Sequence, residues 1–195
     1  KLGAFEFIQK PFSTERLLNF LNRAIENVEL KKDKQHLENK LFSSYEIIGK
    51  SQAIEKVKIL VNKLKNAESR IFISGPAGSG KELVARQIHK QSSRAKKPFV
   101  VVNGALLDPQ KYELELFGSE NNNETTNFGF FEKAKDGTLL IDEVTEIPLE
   151  TQAKILRVLI DQKFKRVNGA KEINVNVRIV STSSKNIREE VDKGN

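Results

Sequence analysis

The sequence predicts an α/β fold in which a parallel sheet is sandwiched by helices. Three observations carry that reading. Short apolar strands alternate with amphipathic helices from about residue 46 onward. A glycine-rich run joins one such strand to one such helix, and a second strand ends in two consecutive carboxylates. At 195 residues the chain is long enough for one ordinary domain and part of another.

Taken in order, Ala4-Phe5-Glu6-Phe7-Ile8 alternates like a strand and is followed by Lys10-Pro11-Phe12. Ser13-Thr14-Glu15 reads as a cap and first turn. Leu17, Leu18, Leu21, Ala24, Ile25 and Val28 then form a helical apolar stripe, which continues weakly to Leu37 and Leu41. The expectation is one long helix serving as a linker and able to pair as a coiled coil, although its heptad slips near Leu30. Ser43-Ser44-Tyr45 breaks the pattern, and a new domain begins at about residue 46.

In that domain Ile54, Val57, Leu60, Val61 and Leu64 share one helical face. The β-branched and aromatic run Arg70-Ile71-Phe72-Ile73-Ser74 reads as a buried strand. Further strands are expected at Phe99–Asn103, Thr138–Ile141 and Asn176–Ser181, with helices at Tyr112–Phe117 and about Leu149–Gln162. Between them lies a polar, Asn-rich stretch, Ser119–Asn127, which reads as a surface loop.

The glycine-rich run is Gly75-Pro76-Ala77-Gly78-Ser79-Gly80-Lys81-Glu82. It precedes Leu83, Val84, Gln87 and Ile88 at helical spacing, so it sits between a strand and a helix, the context of a phosphate-binding loop. Glycines permit the tight turn that aims successive N–H groups at phosphates. The helix start adds its positive dipole end, and Lys81 can reach β- and γ-phosphates. The bland alternative is a glycine-rich turn with no ligand. Glu82 stands where a magnesium-ligating Ser or Thr is usual.

Gly137-Thr138-Leu139-Leu140-Ile141-Asp142-Glu143 is an apolar strand ending in two acids. In a phosphate-loop fold the first, Asp142, is expected to hold Mg2+ and the second, Glu143, to polarise the attacking water. The alternative is an ordinary acidic turn, weakened because Asp142 lies 61 residues after Lys81, a natural distance within one sheet. Together the motifs point to ATP. Asn103 ends another strand, where it either bonds Glu143 or caps a turn. Arg157 and Arg166 are either charges offered to a neighbouring subunit's γ-phosphate or surface ion-pair residues.

Composition excludes several classes. The chain has no Cys, hence no disulfide, thiolate metal site or thiol nucleophile, and its two His are far apart. No apolar stretch approaches the roughly 18 residues of a membrane helix, so a cytoplasmic protein is expected. The net charge of +7 is spread along the chain, and Lys31-Lys32-Asp33-Lys34 is most simply a solvated helix face. The chain has no Met and begins at Lys1, as expected of a portion of a longer protein.

These residues resemble the NtrC-type response regulators, bacterial enhancer-binding proteins whose AAA+ domain activates sigma-54 RNA polymerase. The matching stretches are Ile48-Gly49-Lys50-Ser51, the loop Gly75–Glu82, Pro98-Phe99-Val100, Glu115-Leu116-Phe117-Gly118, Gly129–Val144, Ile155–Leu159, Arg166-Val167 and Val177-Arg178-Ile179. The resemblance implies an AAA+ core over 46–195, a helical linker over 29–45 and the end of a receiver domain over 1–28. It makes Glu82 ordinary, since the family carries Glu there, and it puts Ile48 and Gly49 against adenine. It implies ATP hydrolysis at interfaces of a hexamer or heptamer, with a dimer contact through the linker helix. It implies a sensor histidine kinase and DNA as partners through segments beyond this sequence. Lys10 matches the receiver lysine that pairs with a phosphorylated aspartate.

Three departures stand out. The segment 119–128 replaces the family's sigma-54-gripping GAFTGA loop, which puts that contact in doubt. The sensor Thr-Asn pair is Ser183-Ser184, leaving Ser184 with a shorter reach to phosphate or water. The chain stops at Asn195, before the arginine-finger segment, helical lid and DNA-binding motif. A nucleotide-binding module that does not remodel sigma-54 polymerase, and a truncated remnant without function, are the competing expectations.

Overall fold

A computed structural model of the chain describes residues 13–43, 45–120 and 126–194. They belong to two units that divide between Glu46 and Ile47. The first contains one helix, α1 (Thr14–Ser43), unbroken across residues 28–29. Leu18, Leu21, Ile25 and Val28 lie exposed along it. The strand expected at residues 4–8, and Lys10, lie outside the described residues.

The second unit opens with α2 (Gln52–Leu64), whose first turn is capped by the Ser51 hydroxyl accepting the Ile54 N–H at 3.3 Å. There follow β1 (Ile71–Ser74), α3 (Lys81–Lys90), β2 (Phe99–Asn103), α4 (Tyr112–Phe117), β3 (Gly118–Glu120), β4 (Thr126–Phe128) and α5 (Phe130–Lys133). Then come β5 (Thr138–Asp142), α6 (Leu149–Asp161), β6 (Lys163–Lys165), β7 (Glu172–Asn174), β8 (Arg178–Ser183) and α7 (Ile187–Asp192). The principal sheet has the order β1-β8-β5-β2 and is parallel throughout.

A parallel sheet is covered on both faces, which is why β5 reads as a continuous apolar run. Side chains alternate between the faces. Leu139 and Ile141 join Val102 and Ile179 against Leu116, Phe131, Ile155 and Val158 of α4, α5 and α6. Leu140 and Val180 point the other way, onto Ala85 of α3. On the first face Phe117, Phe131 and Phe164 form a triangle with ring centres 5.6, 5.7 and 5.9 Å apart.

Two of the regions named from the sequence differ from expectation. The polar stretch after α4 is a hairpin at both ends, β3 antiparallel to β4 with Ser119 opposite Asn127. Its three-residue strands are too short to show a period. The last strand begins at Arg178 rather than Asn176, because the Asn176 carbonyl is taken by the Asp136 N–H and by Arg94. It runs on to Ser183 because its buried hydroxyls find partners there.

His89 joins α3 to β5, its Nδ1 2.9 Å from the Thr138 hydroxyl and its ring 5.0 Å from Phe99. Burial pushes its pKa down to about 4, with the Lys97 backbone hydrogen bond working against that shift and the Arg178, Arg86 and Arg94 charges adding to it. The unfolded chain therefore takes up a proton near pH 6.5 that the folded one refuses until about pH 4. This contribution to stability is complete above about pH 6.5 and is lost as pH falls toward about 4. Urea midpoints measured from pH 7.5 to 4.5 should fall accordingly, and a His89→Gln variant should lack that part of the fall.

Candidate functional site

The alternation that buries Leu140 and Val180 under α3 also places the polar ends of three strands on the same face. Asn103 is the register partner of Asp142, and Ile141 pairs with Ser181, so Asp142 and Thr182 stand side by side. The glycine-rich run crosses this strand end and becomes α3 at Lys81. Gly80 caps that helix at φ 88°, after Gly78 at φ 75°, left-handed conformations that a side chain would strain. No side chain caps the helix start, so its first amides remain available as donors.

Lys81 is 7% exposed. Its ammonium donates to the carbonyls of Gly75 at 3.0 Å and Pro76 at 3.2 Å, and lies 3.2 Å from Glu143 Oε1. Glu143 follows β5 in the left-handed region, at φ 53° and ψ 55°, an uncommon conformation for a non-glycine residue and one found at working sites. Its Oε2 accepts the Ser184 N–H at 2.7 Å and the Ser184 hydroxyl at 2.8 Å. Burial by itself would raise the Glu143 pKa. The Ser184 and Lys81 hydrogen bonds outweigh it, and the carboxyl is held below its ordinary value.

Asp142 is gripped from both sides. Asn103 Nδ2 donates to Oδ2 at 3.0 Å, and the Thr182 hydroxyl donates to Oδ1 at 2.5 Å. The Asn103–Glu143 bond raised by the sequence is thus not formed, because Asn103 faces Asp142 in register while Glu143 turns away at its left-handed backbone. Ser184 takes that place instead. Thr182 was missed by sequence reasoning altogether. Its only local sign was a hydroxyl in the run Ser181-Thr182-Ser183 that closes β8, and nothing in that run marks which hydroxyl meets the acidic end of β5.

The cluster holds one ammonium, paired with Glu143, and two carboxylates, so it is net negative before any phosphate enters. Phosphates beside two carboxylates call for a further cation, and a hard oxygen donor suits Mg2+. Among the described residues no group of three His, Cys, Asp or Glu could hold a metal.

The remaining predicted residues lie at the margins. Glu82 pairs along the surface of α3 with Arg86, Nε to Oε1 at 2.7 Å, so its share in a phosphate site is its backbone amide. Ile48 is 88% exposed, and the Gly49 carbonyl accepts the Lys58 ammonium of α2 at 2.7 Å.

The family model of the sigma-54 interaction domain matches residues 47–195. The chain belongs to that family. It is similar to the nitrogen assimilation regulatory protein NtrX of Azorhizobium caulinodans, 40% identical over 195 residues, which are all of this chain and 43% of that protein. A crystal structure of NtrX from Brucella abortus is 44% identical, with a TM-score of 0.83 over 98% of this chain and 42% of that one. The Brucella protein in complex with ATP matches at 43% identity and a TM-score of 0.79, over 99% of this chain and 41% of that one. The chain thus spans about two fifths of the length of these relatives.

Within this sigma-54 interaction domain, the two candidate arginines part company. Arg157 is exposed on α6, 3.6 Å from Asp161. Arg166 is only 12% exposed and is spent inside its own protomer, with Nε and Nη2 on the two oxygens of Glu132 at 2.8 and 2.6 Å and Nη1 on Glu120. It also lies 5.4 Å over the ring of Phe128. A guanidinium held in a fork by a part-buried carboxylate is a clamp between β3, α5 and the β6–β7 hairpin rather than a charge presented to a neighbour. Arg166→Ala should therefore destabilise the chain by about 2 kcal/mol, since it leaves Glu132 without its guanidinium partner. The loss should appear in urea denaturation with nucleotide absent.

Proposed function

We propose that the chain is the ATP-binding AAA+ portion of a two-component response regulator that controls transcription, with ATP hydrolysed between subunits. The observation that carries this is the meeting of Lys81, Glu143 and Asp142 at the start of α3, where the phosphate loop and the acidic strand end converge. The ATP complex of the Brucella relative supports it. Residues 1–28 are then the end of a receiver domain and 29–45 a linker, with kinase and DNA contacts made by segments beyond this sequence.

The division of labour follows from the contacts. Lys81 and the amides of Gly78, Gly80, Lys81 and Glu82 bind the phosphates, the ammonium exchanging the Gly75 and Pro76 carbonyls for phosphate oxygens. Asp142 would hold Mg2+, which when bound neutralises charge on the transferring phosphate. Glu143, kept ionised by Ser184 and Lys81, accepts the proton of the attacking water. Lys81→Ala should weaken ATP binding by about a hundredfold in isothermal titration. Glu143→Gln should leave binding intact and lower turnover by about 10²–10⁴. Unchanged turnover in the Gln variant would sink the hydrolysis reading.

A second reading, nucleotide binding without remodelling of sigma-54 polymerase, is favoured by the segment between β3 and β4. Glu120 already pairs with Thr126, five residues separate them, and no GAFTGA sequence is present. ATP-dependent capture of sigma-54 by the chain would exclude it.

Along α1, Leu18, Leu21, Ile25 and Val28 recur at intervals of three and four, the spacing of a coiled-coil seam, and all are exposed. A copy of the same helix is the fitting partner. Ile25→Asp should convert a dimer to a monomer in sedimentation velocity.

A further inference from the structure

We infer that Thr182 is a positioning residue for the metal-bound nucleotide, a role that rests on the ATP reading above. Its side chain is completely buried and its single hydroxyl is used twice. The oxygen accepts the backbone N–H of Glu143 at 3.0 Å, and the proton goes to Asp142 Oδ1. One hydroxyl therefore serves as acceptor toward the Glu143 backbone and as donor toward the Asp142 side chain.

Two consequences follow. Asn103 holds one oxygen of Asp142 from β2 and Thr182 the other from β8, so rotation of the carboxylate about its last bond is stopped on both sides. Mg2+ tolerates little departure from octahedral geometry, so a carboxylate anchoring it gains from being fixed in advance. Meanwhile the bond to the Glu143 amide supports the left-handed backbone that sends its carboxylate to Ser184 and Lys81. One hydroxyl thereby sets the relation between the acid assigned to the metal and the acid assigned to the water. A purely structural threonine would serve the fold equally well by donating to any backbone carbonyl. This one donates to Asp142.

The test is calorimetric titration of the full chain with ATP, once in EDTA and once with Mg2+, for wild type, Thr182→Val, Thr182→Ser, Asp142→Asn and the Thr182→Val/Asp142→Asn double variant. In EDTA wild type, Thr182→Val and Thr182→Ser should bind alike, since Lys81 and the loop amides are untouched, while the two variants carrying Asp142→Asn should bind no more weakly, having lost a negative charge beside the phosphates. The gain in affinity that Mg2+ brings should shrink about tenfold in Thr182→Val and return in Thr182→Ser. The double variant should be no worse than Asp142→Asn alone, because Thr182 acts through that carboxylate. An undiminished Mg2+ gain in Thr182→Val, or additive losses in the double variant, would overturn the assignment while leaving the nucleotide reading in place. Failure of the wild type to bind ATP in either buffer would remove both. If Thr182→Val does not fold, by circular dichroism, Thr182→Cys replaces it, with the same loss expected and the same undiminished gain overturning the proposal.

Discussion

Everything at this site depends on the register of three parallel strands. Backbone hydrogen bonds between β2 and β5 set Asn103 beside Asp142, and those between β5 and β8 bring Thr182 to the other side. A slip of one residue in any of them would send these polar ends to the opposite face, beneath α4 and α6, and bring Ile141 out beneath α3. The burial of Leu139, Leu140 and Ile141, each essentially inaccessible, is what forbids the slip. The core and the site are therefore specified by the same alternation.

Charge supplies the second layer. Lys81 is nearly buried, and a buried ammonium is tolerable only where acceptors surround it. Gly75, Pro76 and Glu143 provide them. Glu143 in turn is fixed by Ser184, and Asp142 by Asn103 and Thr182. The cluster is a chain of donors and acceptors in which each carboxylate has two protein partners before any ligand is considered. Such preorganisation removes the reorientation that a solvated carboxylate would undergo on binding a cation.

Legibility in the sequence varied with the length of the signal. The strands Phe99–Asn103 and Thr138–Ile141 are visible as continuous apolar runs, and the helix at Leu149 because its buried residues repeat at helical spacing. The loop at Gly75–Lys81 is visible because its chemistry demands particular residues at particular spacing. The hairpins β3–β4 and β6–β7 were not seen, since three residues are too few to define a period. Asn168-Gly169, with Asn168 left-handed at φ 61°, was the turn signal that marked the second. Arg166 was legible only as a charge. Its carboxylate partners Glu132 and Glu120 lie 34 and 46 residues away, and nothing local ties them together.

By itself the sequence determined the α/β class, the parallel sheet, the phosphate loop and the two acids, because each rests on local periodicity or on residue types that backbone chemistry requires in place. Only the tertiary structure decided which side chain holds which acid. Asn103 went to Asp142, Ser184 to Glu143, and Thr182 to both. Those choices depend on strand register and on the left-handed turn at Glu143, which bring together residues about 40 positions apart. Spacing along a chain says nothing about hydrogen-bond direction across a sheet, and that direction is what sorts the donors at this strand end.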